Sequence, residues 1–204
     1  MSNIGEEIHN FAKELWPLNR SITGSGVRET LKQTQKILPN LKIHEVASGT
    51  QVFDWIVPKE WEVKEAWIKK PSGKKICDFS TNNLHLVGYS KPIHQKISKK
   101  ELDKHLFSSP EQPSAIPYVT SYYKERWGFC ISEFERKKLE DGDYEVFINS
   151  SLFNGSLTYG ELVINGRLND EIFISTYICH PSMANNELSG PCVTTFLAKW
   201  IQDL

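Results

Sequence analysis

The apolar positions at the start of the chain follow helical and then strand-like spacing. Residues 4–16 carry apolar side chains at intervals of three and four, at Ile4, Ile8, Phe11, Ala12 and Leu15. This pattern predicts an amphipathic helix that packs on a larger body and ends at Pro17. The same periodicity predicts a second helix over residues 27–38, and the imperfect alternation over residues 41–46 predicts a strand.

Between about residues 55 and 144 the chain changes to short β-like runs separated by turns. Residues 62–69 and 83–89 resemble strands, and residues 70–74 have the composition of a hairpin turn. Most of the large aromatic side chains fall in this part: Trp55, Trp61, Trp67, Tyr118, Tyr122, Tyr123 and Trp127. We therefore predict a small β-rich domain with an aromatic core. It divides the chain into domains at 1–54, 55–144 and 145–204.

The last part of the chain returns to longer strands. These are predicted at residues 144–148, 157–164 and 171–178. The run 172–178 (IFISTYI) is apolar and β-branched, which is typical of a strand buried on both faces of a sheet. Residues 191–201 then have helical spacing. A buried strand followed by a helix begins an α/β layer, and α/β is the predicted fold class.

A polar loop, residues 179–190 (CHPSMANNELSG), joins that strand to that helix. It lies at the carboxyl end of the strand, which is where open α/β sheets bind ligands. It contains His180, Asn185, Asn186 and Glu187. Because neutral imidazole is a common zinc ligand, His180 is a candidate metal ligand. The alternative is a loop histidine that only hydrogen-bonds backbone groups, and the pattern by itself leaves both open.

Bulk properties narrow the classes of partner. The formal net charge of the 204 residues is -1, so no overall field favours nucleic acid or an anionic membrane. No apolar run has the length of a membrane span, and the first residues lack the pattern of a signal peptide. The four cysteines form no CxxC pair, which favours free thiols in a reducing compartment. We therefore predict a cytoplasmic protein that binds neither nucleic acid nor membrane.

Two stretches, residues 160–164 (GELVI) and 174–190 (ISTYICHPSMANNELSG), resemble co-catalytic zinc aminopeptidases. More narrowly, the chain is similar to bacterial aminopeptidase-like proteins that carry a small inserted β-domain and are often associated with surface-polysaccharide gene clusters. Residues 118–130 (YVTSYYKERWGFC) resemble that insert. The resemblance covers nearly the whole chain. It implies a partial aminopeptidase-like core, the amino-terminal half, interrupted by a small β-rich domain.

The resemblance also implies a site with two zinc ions. In that family a histidine after a core strand binds one zinc, and a carboxylate a few residues later bridges both. His180 matches the first position, and Asn186 falls at the bridging position, where a neutral amide replaces the carboxylate. Glu187 is the neighbouring alternative ligand. The general base and the further ligands of the family would lie beyond Leu204.

Zinc catalysis needs about three protein ligands and an open position for water. Cys179 adjoins His180, and adjacent side chains of a strand point to opposite faces, so Cys179 is not expected beside His180. We expect a zinc metallohydrolase fragment for peptides, or for small amides with a free amino group, that is inactive on its own. A dimer partner, or a missing carboxyl-terminal half packed on the last helix, would complete it. The rival hypothesis is a non-catalytic binding or structural module that has lost its metal.

Overall fold

The computed structural model describes residues 3–122 and 124–204. Met1, Ser2 and Tyr123 lie outside the described residues, and so does the predicted place of Tyr123 in an aromatic core. Helices and strands are mixed, and the chain forms two compact units. The first consists of Met1–Glu60 and Asn154–Leu204, and the second of Trp61–Phe153.

In its described residues, the first unit contains three α-helices and two small antiparallel sheets. Its helices are α1 (Ile4–Leu15), α2 (Ser25–Ile37) and α5 (Ser189–Gln202). The first sheet pairs β1 (Lys42–Ala47) with β10 (Ser156–Glu161), and the second is a hairpin of β2 (Gln51–Val52) and β3 (Trp55–Ile56). The helices predicted over residues 4–16, 27–38 and 191–201 are thereby confirmed, as is the strand predicted over residues 41–46.

Helix α1 begins at a polar cap and buries the predicted apolar stripe. The side chain of Asn3 accepts a hydrogen bond from the Gly5 amide, which satisfies one of the unpaired amides of the first turn. Phe11 and Leu15 then pack in one buried cluster with residues of α5 and of the turn before it: Leu188, Cys192 and Phe196. The loop at residues 179–190 is therefore held between the end of α1 and the start of α5.

The second unit is built on a four-stranded sheet. The strand order is β5 (Lys75–Ile76), β4 (Glu60–Lys69), β9 (Asp143–Phe153) and β6 (Ile93–Ser98). Its further α-helices and strands are α3 (Lys99–Leu102), β7 (Leu106–Phe107), β8 (Phe129–Cys130) and α4 (Glu133–Arg136), with β7 and β8 parallel. In β9 the side chains of Tyr144, Val146 and Ile148 are buried at every second position, as a strand with one core face requires.

The hairpin turn predicted at residues 70–74 is confirmed, because β4 and β5 pair around Gly73, whose φ is +85°. The strand predicted at residues 83–89 is wrong: Asn83–His85 form a 3₁₀ turn instead. The Asn82 side chain accepts a hydrogen bond from the Leu84 amide. This local bond gives the backbone an alternative to strand pairing.

The strand predicted at residues 171–178 is also wrong. No element includes these residues, and Ile172 and Phe173 are 91% and 90% exposed. Strand β10 likewise ends at Glu161, short of the predicted 164. A strand buried on both faces needs paired strands at its edges and layers above and below it. The described part of the chain supplies neither to this run.

All four cysteines are free thiols, with Cys77, Cys130 and Cys192 buried and Cys179 half-buried. Across residues 3–122 and 124–204, no helix is both long enough and apolar enough to cross a membrane.

Candidate metal centre

A widened helical turn places the acidic residue of the loop. Ala184–Leu188 form a π-helical turn that continues directly into α5, and the amide of Leu188 donates to the carbonyl of Met183 at 3.2 Å. Just before it, Ser182 has a φ of +40°, which is strained for a residue with a side chain. Its hydroxyl donates to the Trp16 carbonyl at 2.6 Å. Strained residues and π turns both cluster at functional sites.

Glu187 contacts His180 with both of its carboxylate oxygens. Oε1 accepts the backbone N–H of His180 at 2.9 Å, and Oε2 lies 2.9 Å from Nδ1 of its ring. The Glu187 side chain is fully buried, whereas that of His180 is 24% exposed. A carboxylate beside Nδ1 favours the tautomer with hydrogen on Nδ1. The ring is therefore oriented with its lone pair on Nε2.

Arg20 lies behind this pair, and its side chain is fully buried, like that of Glu187. Its Nη1 donates to the carbonyl of Leu15 at 2.6 Å, and its Nε donates to the carbonyl of His180 at 3.1 Å. The same Nε is 3.9 Å from Oε1 of Glu187. The guanidinium thus joins the last residue of α1 to the candidate site. Arg20 could not be identified from the sequence, since a single arginine in a polar turn carries no signal of burial.

Cys179 also faces His180, contrary to the expectation that it would point away. Its Sγ is 3.2 Å from Nδ1 of His180. The expectation assumed a pleated strand, and the chain has no strand geometry at these residues. Cys179, His180 and Glu187 each offer one ligand atom, and these atoms lie within 4.8 Å of one another. Among the described residues, these three side chains form the group whose arrangement could hold a metal ion.

Asn186 lies on the exposed side of the turn. Its backbone carbonyl accepts a hydrogen bond from the Tyr177 hydroxyl at 3.1 Å. The Tyr177 ring stands edge-on to His180, with 5.5 Å between the ring centroids. Asn185 uses its carbonyl to accept from the Ser189 hydroxyl at 2.5 Å. Of the residues singled out from the sequence, the structure therefore brings His180 and Glu187 together.

Burial controls the ionisation of this cluster. It raises the pKa of Glu187, against the opposing effects of the His180 hydrogen bonds and the Arg20 charge. It lowers the pKa of Arg20, which the Glu187 charge partly offsets. Burial and the Glu187 charge raise the pKa of Cys179 to about 11. Cys179 is therefore a neutral thiol near pH 7, which disfavours a role as a cysteine nucleophile, because the thiolate is the reactive form.

A curated relative matches the sequence of nearly the whole chain, and a solved structure matches its fold. A protein of Clostridium acetobutylicum named "Putative polysaccharide biosynthesis protein with aminopeptidase-like domain" is 51% identical over 203 residues, which is 100% of this chain and 46% of that protein. A crystal structure of a "putative peptidase" from the same organism superposes with a TM-score of 0.95 at 52% identity, over 98% of this chain and 47% of that one.

The chain thus spans about half the length of the relatives it matches, 46% and 47%. A family model described as "Domain of unknown function (DUF4910)" matches residues 9–204, and the chain belongs to this family.

Proposed function

We propose that this chain is the amino-terminal half of an aminopeptidase-like zinc metallohydrolase, with the second unit as a domain inserted into the core. The contact of Glu187 with the backbone amide and the ring Nδ1 of His180 is the observation that carries the proposal. It is the arrangement by which carboxylates orient zinc-binding histidines in metalloenzymes. The names of the two relatives, an aminopeptidase-like domain and a peptidase, agree with this chemistry.

The donor set fits a zinc ion. An imidazole nitrogen is a common zinc ligand, and a carboxylate on the other ring nitrogen is its usual support. His180 would hold the metal through Nε2, with Glu187 fixing the ring from the other side. The Cys179 Sγ lies 3.2 Å from Nδ1, on the same side of the ring as Glu187, so it is not a ligand in this arrangement. Zinc bound here would polarise a scissile carbonyl and lower the pKa of a water molecule.

Asn186 favours one tightly held zinc ion over two. It occupies the position that the family resemblance assigns to the bridging carboxylate, and an amide brings no negative charge to offset two dications. Glu187 cannot take its place without giving up the hydrogen bonds with which its two oxygens hold His180. We infer a site whose first ligand is in place and whose remaining ligands and general base come from another part of the enzyme.

The substrates we propose are peptides, or amides on small molecules such as modified sugars, with a free amino group. The relative's name places an aminopeptidase-like domain in a polysaccharide biosynthesis protein, which supports the second class. We expect this chain alone not to hydrolyse these substrates, because the run at residues 171–178 is exposed and lacks its partner strands. We propose that strands of the other half of the enzyme pair with it and complete the site.

The experiment that tests the metal is a zinc titration of the metal-free chain mixed with a purified polypeptide that corresponds to the second half of the Clostridium acetobutylicum relative, because this chain supplies only the first ligand. We expect one zinc ion per chain, and loss of that ion in His180→Ala. The matched control is His94→Ala, because His94 lies in the second unit with a 63% exposed side chain. Zinc bound equally by His180→Ala and by the wild type would remove His180 from the site and contradict the proposal.

A non-catalytic module of the same fold is the second candidate. The specific observation in its favour is the guanidinium of Arg20, which lies 3.9 Å from Glu187 and opposes a dication nearby. This candidate predicts that the wild-type chain takes up no zinc. The titration therefore separates the two functions.

A further inference from the structure

Arg20 is buried to an unusual degree for an arginine. It is 1% exposed, and its Nη2 has no hydrogen-bond partner among the described residues. Arginine is rarely buried completely, and an unpaired buried donor costs free energy. Stability alone does not account for such a residue, because an apolar side chain of similar size is often at least as stable at a buried ionic site.

We propose that Arg20 is a positioning residue for the metal site, a role that rests on the proposed function above. Its Nε donates to the carbonyl of His180 and lies beside Oε1 of Glu187. One guanidinium thereby hydrogen-bonds the backbone of His180 and places its charge beside the Glu187 oxygen that accepts the His180 amide. Arg20 touches neither substrate nor metal in this proposal and acts through Glu187 and His180.

The shape of the guanidinium suits this role. Nη1 holds the carbonyl of Leu15, the last residue of α1, while Nε serves His180. A planar guanidinium can donate both hydrogen bonds at once, whereas the ammonium group of a lysine has its donors on a single nitrogen. The cation also lies at the carboxyl end of α1, where the helix dipole favours it. Arg20 thus connects a rigid helix with the metal-binding loop.

The backbone of Arg20 is fixed as well. At Gly26, in the first turn of α2, an added Cβ would lie 2.5 Å from the carbonyl carbon of Asn19 and 3.1 Å from the amide nitrogen of Arg20. The turn that carries Arg20 therefore rests directly on α2. Both the backbone and the guanidinium of Arg20 contact helices, and contacts with rigid elements keep a positioning side chain in a fixed orientation.

The test compares Arg20→Gln with Arg28→Gln in zinc affinity and in the tautomer of His180. Arg28 is the matched control because it pairs with Glu60 in the same unit, outside the cluster. We expect Arg20→Gln to bind zinc about 10–100-fold more weakly, as supporting residues of metal sites do when mutated. In the metal-free protein, ¹⁵N spectra of the imidazole should show hydrogen on Nδ1 in the wild type and a mixture in Arg20→Gln. Arg28→Gln should change neither.

Two results would overturn the proposal. One is a folded Arg20→Gln with wild-type zinc affinity and an unchanged His180 tautomer. The other applies if Arg20→Gln fails to fold. In that case one equivalent of zinc should shift the Nε–H signal of Arg20 in the ¹⁵N-labelled wild type and leave the signal of Arg28 in place. Equal shifts of both signals, or no shift of either, would refute the role. A wild-type chain that binds no zinc refutes the proposed function itself, whereas zinc binding that is indifferent to Arg20 refutes only this inference.

Discussion

The Glu187 carboxylate contacts His180 at two points, the backbone amide and the ring Nδ1 of His180, and both distances are 2.9 Å. A residue seven positions away thereby controls the direction of the imidazole. The contact is made from a fully buried side chain, so water does not compete for either oxygen. The site therefore depends on the charge of one carboxylate as much as on the imidazole.

Glu187→Gln should weaken zinc binding by about 10–100-fold while the chain stays folded. The amide keeps the shape of the side chain but has one acceptor oxygen where the carboxylate has two. It can satisfy the His180 backbone amide or the ring N–H, and it loses the charge that favours hydrogen on Nδ1. Competition with a chelating dye measures the affinity. Glu65→Gln, with a half-exposed side chain in the second unit, is the control, and equal affinities of Glu187→Gln and the wild type would contradict the prediction.

Gly26→Ala should destabilise the protein by about 1–3 kcal/mol, because the new methyl group would overlap the backbone of Asn19 and force the Arg20 turn outward. Urea unfolding measures the loss. Gly166→Ala is the matched control, since nothing lies within 4 Å of its added Cβ. If the two variants unfold at the same urea concentration, the close approach of the turn to α2 is wrong.

The pair of Arg28 and Glu60 should make stability depend on pH. Burial pushes the pKa of Glu60 upward, but hydrogen bonds from Arg28 and the Ser156 amide outweigh it, and the pKa lies below its usual 4.5. A carboxyl whose pKa falls on folding contributes stability that is complete above 4.5 and is lost as the pH falls through the lower folded value. Urea unfolding between pH 7 and pH 3 should show this decline.

Arg28→Gln is the informative variant for this pair. It removes the strongest opposing contact, so burial should then dominate and raise the pKa of Glu60 above 4.5. The sign of the contribution then reverses, and stability should fall as the pH rises through that region. At pH 7 we expect a loss of about 1–3 kcal/mol, the cost of a poorly paired buried acceptor. An acid profile parallel to that of the wild type would contradict the assignment.

Ile172→Asp should block assembly with the other half of the enzyme without harming this chain. Ile172 is 91% exposed, so the substitution alone should change the free energy of unfolding by less than about 0.5 kcal/mol. The test mixes the chain with a purified polypeptide that corresponds to the second half of the Clostridium acetobutylicum relative. Gel filtration should show a 1:1 complex for the wild type and none for Ile172→Asp.

Phe53→Asp is the control for that experiment, because Phe53 is 96% exposed at the tip of the β2–β3 hairpin of the same unit. It should assemble like the wild type. Hydrolysis of aminoacyl anilides should be absent from the chain alone and appear in the complex. Assembly by Ile172→Asp, or activity of the chain alone, would show that residues 171–178 are not a pairing surface.

The sequence identified those parts of the fold that depend on local chemistry. The stripe of α1 ends at Pro17, and its buried members, Phe11 and Leu15, are among those its spacing predicts. The hairpin at Gly73 needs only a turn residue with positive φ. The run 172–178 shows the opposite case. Its composition is that of a buried strand, but burial requires neighbours, and a pattern along one segment does not say whether they are present.

The candidate site was predictable only in part, for a similar reason. His180 and Glu187 lie seven residues apart in one loop that contains proline and glycine, so the sequence itself indicates that they are close in space. Arg20 reaches them from 160 residues away through a buried guanidinium. The orientation expected for Cys179 depends on a strand geometry that the chain does not adopt there. The periodicity of apolar residues along the sequence predicts neither tertiary contacts nor local departures from regular structure.

The π turn at Ala184–Leu188 has an evolutionary consequence. A π turn is an α-helical turn widened by one residue, and each residue of a helix advances its neighbour by about 100°. Deleting a single residue from this turn would restore the α-helical register and rotate Glu187 away from His180. Single-codon insertions and deletions here would therefore redirect the acidic side chain, and with it the neighbouring Leu188 of the buried cluster. Within the family, the length of this turn and the position of its acidic residue should change together.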